Sequence, residues 1–192
     1  MAKLIGLNRI KTAVFISGTG SNLKNLINFS KTKKSPISID LIISNTIKAK
    51  GLKFANQYQI KKKIFNFRNI KTTEKKLFIL LKKNKIKFIC LAGFMKILSS
   101  KFIKQFNGKI INIHPSLLPR YKGLNTHSRA IQNKDKFSGC TVHFVTEKLD
   151  AGKIIMQKKI KISKKDTPSS LARRILKQEH KIYPKAILKI FN

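Results

Sequence analysis

The feature that most constrains this chain is an alternation in its first half: short apolar runs of strand length take turns with stretches of helical periodicity. Residues 12–17 read as a buried strand, followed by a glycine-containing turn and a helix over about 22–30. A strand over 38–44 leads to a helix over 48–57 and a short strand over 62–67. A helix over 72–84, with Leu77, Leu80 and Leu81 on one face, precedes a strand over 86–92. Strands this continuously apolar are covered on both faces, and strands separated by helices pair in parallel. The second half changes character. Residues 109–113 read as a strand that runs into a proline-bounded loop, 114–123, and 139–145 and 153–162 read as two more strands. A final helix starts near Asp166 as its N-cap, with Pro168 in the first turn and Leu171, Ile175 and Ile182 on the apolar side. The pattern predicts an α/β fold, one domain over 1–192, with a mixed, mostly parallel sheet flanked by helices.

Net charge bears on function before any motif does. Forty-three Lys and Arg against seven Asp and Glu give a formal net charge of +36, which points to nucleic acid. The basic residues are spread from end to end, however, and only six are Arg, the better residue for forked recognition of phosphate and base edges. Runs such as Lys61-Lys62-Lys63 and Lys82-Lys83 read as a solvated helix face or loop. A drift of composition towards Lys, Ile, Asn and Phe accounts for them, so no specific nucleic-acid partner is expected. Cys90 and Cys140 are too far apart for a short metal-type pair and read as reduced, buried thiols. No stretch has the length and apolarity of a leader or a membrane span, so a cytoplasmic protein with no membrane partner is expected.

Three constellations carry chemistry. In the turn Ser17-Gly18-Thr19-Gly20-Ser21-Asn22-Leu23, glycines follow a strand and open a helix, and helix-start amides offer an anion both donors and the positive dipole end. The third glycine of a dinucleotide fingerprint and the Lys-Ser/Thr ending of a P-loop are both missing. What remains is a phosphate-monoester cradle or a plain tight turn with a Ser or Asn cap. In Ile111-Asn112-Ile113-His114-Pro115, period two puts Asn112 and His114 on one side of a strand end, where ligands gather in open α/β sheets. Pro115 and Pro119 stiffen the loop beyond that strand. Asn is a neutral donor for a carbonyl gaining negative charge, and His carries a proton near neutral pH. Asp150 reads either as a turn residue before Gly152 or as a carboxylate that orients His114 and raises its pKa. Glu179 binds an amine or hydroxyl, or pairs with surrounding Lys; His127, His143 and His180 read as ordinary residues.

Taken together, residues 16–23, 91–98, 112–121, 142–146 with 149–152, and 178–184 resemble the bacterial glycinamide ribonucleotide formyltransferases of purine biosynthesis, within a match over about 11–185. The resemblance implies a Rossmann-like formyltransferase fold, with a phosphate-binding half over about 11–100 and a catalytic, folate-closing half over about 101–192. It implies that Gly20, Ser21 and Asn22 hold the substrate phosphate and that Glu179 contacts the ribose. Met95, Lys96, Ile97 and Leu98 would line the folate site through main-chain hydrogen bonds to the pterin; Asn112, Thr146 and Asp150 would border it from the other side. Asn112, His114 and Asp150 match the catalytic trio, in which Asn112 and protonated His114 stabilise an oxyanion while Asp150 keeps His114 placed and basic. The formyl donor implied is 10-formyltetrahydrofolate, the acceptor glycinamide ribonucleotide, with no metal and a monomer or weak homodimer.

The chain departs from the family in places. A family Arg that helps hold folate has no clear counterpart near 67–74, where Arg68 and nearby lysines are stand-ins, and residues 1–10 form a short extension. Methionyl-tRNA formyltransferase looks similar around Ser116-Leu117-Leu118-Pro119-Arg120, and formyltetrahydrofolate deformylase shares the core. Each normally carries a further domain for which 192 residues are expected to leave no room. The rival of another class is a nucleic-acid-binding protein that kept the fold; it has no need of the trio.

Overall fold

The apolar runs become a central sheet. In a computed structural model, which describes residues 9–191, seven strands lie in the order β3-β2-β1-β4-β5-β6-β7. These are β1 Ile10–Ile16, β2 Ile37–Ser44, β3 Lys61–Ile64, β4 Phe88–Leu91, β5 Lys109–His114, β6 Phe137–Phe144 and β7 Ile154–Lys161. The first five in that order run parallel; β5–β6 and β6–β7 are antiparallel, giving the mixed sheet expected. Six helices cover it: α1 Ser21–Ser30, α2 Lys53–Gln57, α3 Ile70–Lys83, α4 Ser100–Gln105, α5 Thr126–Gln132 and α6 Pro168–Phe191.

The core forms on both sheet faces, as parallel strands require. On one, Val14, Ile16, Phe88, Cys90 and Ile111 meet Leu23, Leu26 and Ile27 of α1 and Leu171, Ile175, Tyr183 and Ile187 of α6. On the other, Ala13, Phe15, Ile43 and Ile89 meet Leu77 and Leu81 of α3 and Phe102 of α4. Cys90 and Cys140 are free and buried. No helix among the described residues is long and apolar enough to cross a membrane.

Several expectations need correction. The stretch 48–57 is not one helix: a 3-10 turn, Lys50–Leu52, precedes the five residues of α2. The cause is a close approach, since Gly51 N donates to Gly18 O at 3.0 Å and a Cβ on Gly20 would stand 2.6 Å from Gly51 Cα. The strand expected over 62–67 is the shorter β3. Lys61, Lys62 and Lys63 lie on it, exposed at the sheet edge and not on a helix face or loop, where charge deters pairing with another edge. The last helix is capped by Thr167, not Asp166: Ser170 N donates to Thr167 Oγ1 (3.2 Å) and Thr167 N donates to Ser170 Oγ (3.0 Å). Asp166 instead accepts from Ser163 N (2.8 Å), Ser170 Oγ (2.7 Å) and Arg174. The helices α4 and α5 were not anticipated. The extension expected over 1–10 lies outside the described residues up to residue 8.

Candidate active site

Strand order reverses about β1, which has β2 on one side and β4 on the other. The turns leaving β1 and β4 therefore part, and a crevice opens beyond the strand ends. Its volume is about 630 Å³. Asn22, Met95 to Leu98, Asn112, His114, Thr146, Asp150 and Glu179 all line it. Gly20 and Ser21 do not; they form the turn that delivers Asn22, with Gly20 at φ 75° and α1 free of any side-chain cap. The expected Ser or Asn cap is thus not made.

The trio meets where β5 ends. His114 Nδ1 is 3.4 Å from Asp150 Oδ2, and both side chains are buried. Asp150 Oδ2 also accepts from Gly123 N at 2.9 Å, so the loop after β6 is tied to the loop after β5. Prolines are not the only stiffening of that second loop. Thr141 Oγ1 donates to Ser116 O (2.6 Å) and accepts from Leu118 N (3.1 Å), while Gln157 Nε2 donates to Leu118 O (2.8 Å).

His143, read from sequence as ordinary, belongs to this site. Antiparallel register sets it directly opposite Asn112, with His143 Nε2 at 3.3 Å from Asn112 Nδ2 and 3.5 Å from Asp150 Oδ1. Its Nδ1 is 2.9 Å from Phe144 O, which can only accept, so Nδ1 carries the hydrogen and Nε2 accepts from Asn112. One amide hydrogen of Asn112 is thereby used and the other is left for the crevice. His127 also lines the crevice, and its Nδ1 is buried with no partner.

Asp150 pulls the pKa of His114 upward, as expected, and so does the Tyr121 carbonyl, but burial is the largest influence and the net shift is downward, with His143 and Arg129 adding to the lowering. The ring is therefore neutral at neutral pH. Burial pushes Asp150 up, but the neighbouring His143, the Gly123 amide and His114 together hold it below its ordinary value, so it stays ionised.

Also on the lining, Asn22 Nδ2 donates to Glu179 Oε2 at 2.6 Å, and Asn22 Oδ1 is buried without a partner. Burial raises the pKa of Glu179, with Asn22 opposing it. A raised folded-state value means the carboxyl stabilises below 4.5 and loses that contribution as pH rises. Glu179→Gln is thus expected to raise the Tm of the ligand-free protein at pH 7.5 by about 2–4 °C, equivalent to about 1 kcal/mol. The gain should vanish below the ordinary carboxylate range. A lower Tm at pH 7.5 would refute this.

The opposite walls are held from behind. Ser17 Oγ accepts from Met95 N (2.8 Å) and donates to Asn45 Oδ1 (2.5 Å). Glu74, buried in α3, accepts from Ser99 N (2.7 Å) and from the Ser99 hydroxyl. Main-chain groups of 95–98 are thus fixed at both ends. Lys96 and Lys148 are the cations on the lining, and Arg68 is not among its residues.

The model of the formyl transferase family matches residues 10–187. The chain belongs to that family. Among formyl transferases it is 44% identical over 180 residues to the phosphoribosylglycinamide formyltransferase of Haemophilus influenzae, covering 92% of this chain and 85% of that one. It is 42% identical over 182 residues to the human trifunctional purine biosynthetic protein adenosine-3, covering 93% of this chain. The chain spans only 18% of that human protein's length. The crystal structure of the Brucella melitensis phosphoribosylglycinamide formyltransferase superposes with a TM-score of 0.90 at 40% identity, covering 95% of this formyl transferase and 96% of that one.

Proposed function

We propose that this chain transfers the formyl group of 10-formyltetrahydrofolate to the amine of 5′-phosphoribosylglycinamide, giving formylglycinamide ribonucleotide and tetrahydrofolate in de novo purine (IMP) biosynthesis. The observation that carries the reading is the meeting of Asn112, His114 and Asp150 in one crevice, between the 95–98 wall and the buried Asn22–Glu179 pair. Two sets of groups suit two substrates. Uncapped amides at Gly20, Ser21 and Asn22 suit a phosphate at a helix start. Glu179 and the unpartnered Asn22 Oδ1 are acceptors for ribose hydroxyls. Main-chain groups of Met95 to Leu98 suit the flat, polar-edged pterin, with Thr146 and Asp150 across from them. The +36 charge draws both anionic ligands in.

Transfer begins when the amine attacks the formyl carbon and the carbonyl electron pair moves to oxygen. The free amide hydrogen of Asn112 donates to that oxyanion. Neutral His114 takes the proton shed by the attacking nitrogen and becomes the imidazolium next to Asp150 as negative charge develops. Collapse restores the carbonyl, and the folate nitrogen leaves with the proton from His114. Burial thus makes His114 a base at rest and an acid when needed.

The test is tetrahydrofolate release, followed by absorbance, with and without the ribonucleotide. Release that requires it supports the transferase; release without it indicates a hydrolase; no release with either removes the reading. Because His114 must start neutral, kcat/KM should fall as pH drops through a pKa below 6.5 and stay flat from there to pH 8. An acid limb centred above pH 7 would contradict the base role.

A further inference from the structure

One carbonyl decides which nitrogen of His114 is free. His114 Nε2 lies 2.8 Å from Tyr121 O, an acceptor only, so in the neutral ring Nε2 carries the hydrogen and Nδ1 the lone pair. Nδ1 faces the Asp150 carboxylate at 3.4 Å, a contact that becomes attractive once Nδ1 takes a proton. Either tautomer sets one ring lone pair against an acceptor, and the opposite one would do so at 2.8 Å from Tyr121 O instead of 3.4 Å from Asp150, the closer and more costly of the two.

That carbonyl is held by an arrangement outside the crevice. Tyr121 sits at φ 54°, in the left-handed region that aromatic residues rarely adopt, so its surroundings must impose it. Its phenol donates to Asp135 Oδ2 (2.7 Å) and accepts from Asn133 Nδ2 (2.9 Å) and Arg120 Nη2 (3.1 Å). Arg120 also pairs with Asp135 Oδ1 at 2.7 Å. The guanidinium groups of Arg120 and Arg129 lie 5.1 and 5.0 Å from the ring centroid. Arg129 in addition donates to Lys122 O at 2.8 Å, on the next residue. Tyr121, Asn133 and Asp135 are not part of the crevice lining. Such a concentration of partners on one phenol is more than solubility or packing of a surface loop requires.

We propose that Tyr121 is a positioning residue for His114: Asp135 and Asn133 grip its phenol, and the grip aims its carbonyl so that His114 keeps its hydrogen on Nε2 and accepts the substrate proton on Nδ1. The inference rests on the base role of His114 in the proposed transfer. The charged and titratable groups that influence that ring are Asp150, His143 on β6, and Arg129 and His127 on α5. None of them meets Nε2, and Asp150 meets Nδ1 only at 3.4 Å, so the 2.8 Å contact with Tyr121 O is the stronger influence on the tautomer.

The test uses the full chain labelled with nitrogen-15 histidine, since ring-nitrogen shifts distinguish a protonated from a bare nitrogen without any turnover. The His114 signals are identified by their loss in His114→Asn. Wild type is expected to be protonated at Nε2 and bare at Nδ1 at pH 7.5. Tyr121→Phe keeps the ring between the two arginines but loses the Asp135 and Asn133 contacts. It should give a mixture of tautomers, a kcat lowered about tenfold, KM values within about twofold, and an acid limb moved to lower pH. Asp135→Asn, which leaves Tyr121 itself intact, should do the same to a smaller degree and serves if Tyr121→Phe does not fold. Wild-type His114 bare at Nε2, or unchanged ring-nitrogen shifts in folded variants, would overturn the proposal. Because the spectrum needs no substrate, it decides the role of Tyr121 even if the formyl-transfer assay fails.

Discussion

His114→Ala is expected to lower kcat by about 10³-fold or more, with KM for either substrate changed little. The expectation comes from the range for a positioned acid–base group, about 10²–10⁴, and from the lack of a substitute. His143 is the other imidazole near Asp150, but its Nδ1 hydrogen is given to Phe144 O and its Nε2 lone pair to Asn112. Both of its ring nitrogens are thus already engaged by the protein. Asn112→Ala, which removes an oxyanion donor, should cost about 10²–10³ in kcat. Asp150→Ala acts through His114, so combining it with His114→Ala should add little to the larger single loss. Single-turnover measurement with both substrates at saturation checks all three. Losses that multiply across His114 and Asp150, or a His114→Ala variant within tenfold of wild type, would show that the two do not work as a unit.

The second large effect is on stability. A Cβ on Gly152 would stand 1.8 Å from Phe144 O and 3.1 Å from Thr146 Cγ2, so Gly152→Ala cannot be accommodated without moving backbone. The backbone it would displace carries the bond from Phe144 N to Lys153 O (3.0 Å), at the junction of β6 and β7. Overpacking of this kind costs about 1–3 kcal/mol, and because the 1.8 Å clash is with the Phe144 backbone the upper end applies, a fall in Tm of about 6–12 °C. Asp150 is two residues away, and misplacement by about 1 Å in an active site can cost 10²-fold in rate. Thermal melting and turnover on the same preparation read both effects. A Tm within 2 °C of wild type would mean that the β6–β7 turn is softer than its contacts imply.

The parallel half of the fold was legible because its signals are local. Residues 13–16, 41–44 and 88–91 are apolar or small on both faces and are buried as such. Asn112 and His114 were legible for a similar reason, as neighbours at period two on one strand. What escaped depended on distant parts of the chain. His143 gains its meaning from the register that sets it opposite Asn112, 31 residues away. The broken helix at Gly51 depends on Gly20 pressing against it. The net direction of the His114 shift depends on how deeply β5 and its loop are covered, which outweighs the upward pull of Asp150 that the sequence suggested. The helices α4 and α5 are short and bury little, Phe102 in one and Thr126 and Ala130 in the other, so no periodic stripe announces them. For α6, Asp166 and Thr167 are both good capping residues, and the choice between them turns on where Ser170 falls.

The Asn22–Glu179 bond joins residues 157 apart in sequence, from the first helix to the last. Bringing such distant groups together carries a loop-closure cost that only the assembled core offsets. Residues of α6 supply Leu171, Ile175, Ile182, Tyr183 and Ile187 to the sheet face that α1 also covers, so that face is only partly covered until the end of the chain has docked. Refolding should therefore gain secondary structure in the parallel half before it gains turnover, since contacts between distant parts of the chain form slowly. The crevice is a late product of folding, and activity in this chain reports that the last helix has arrived.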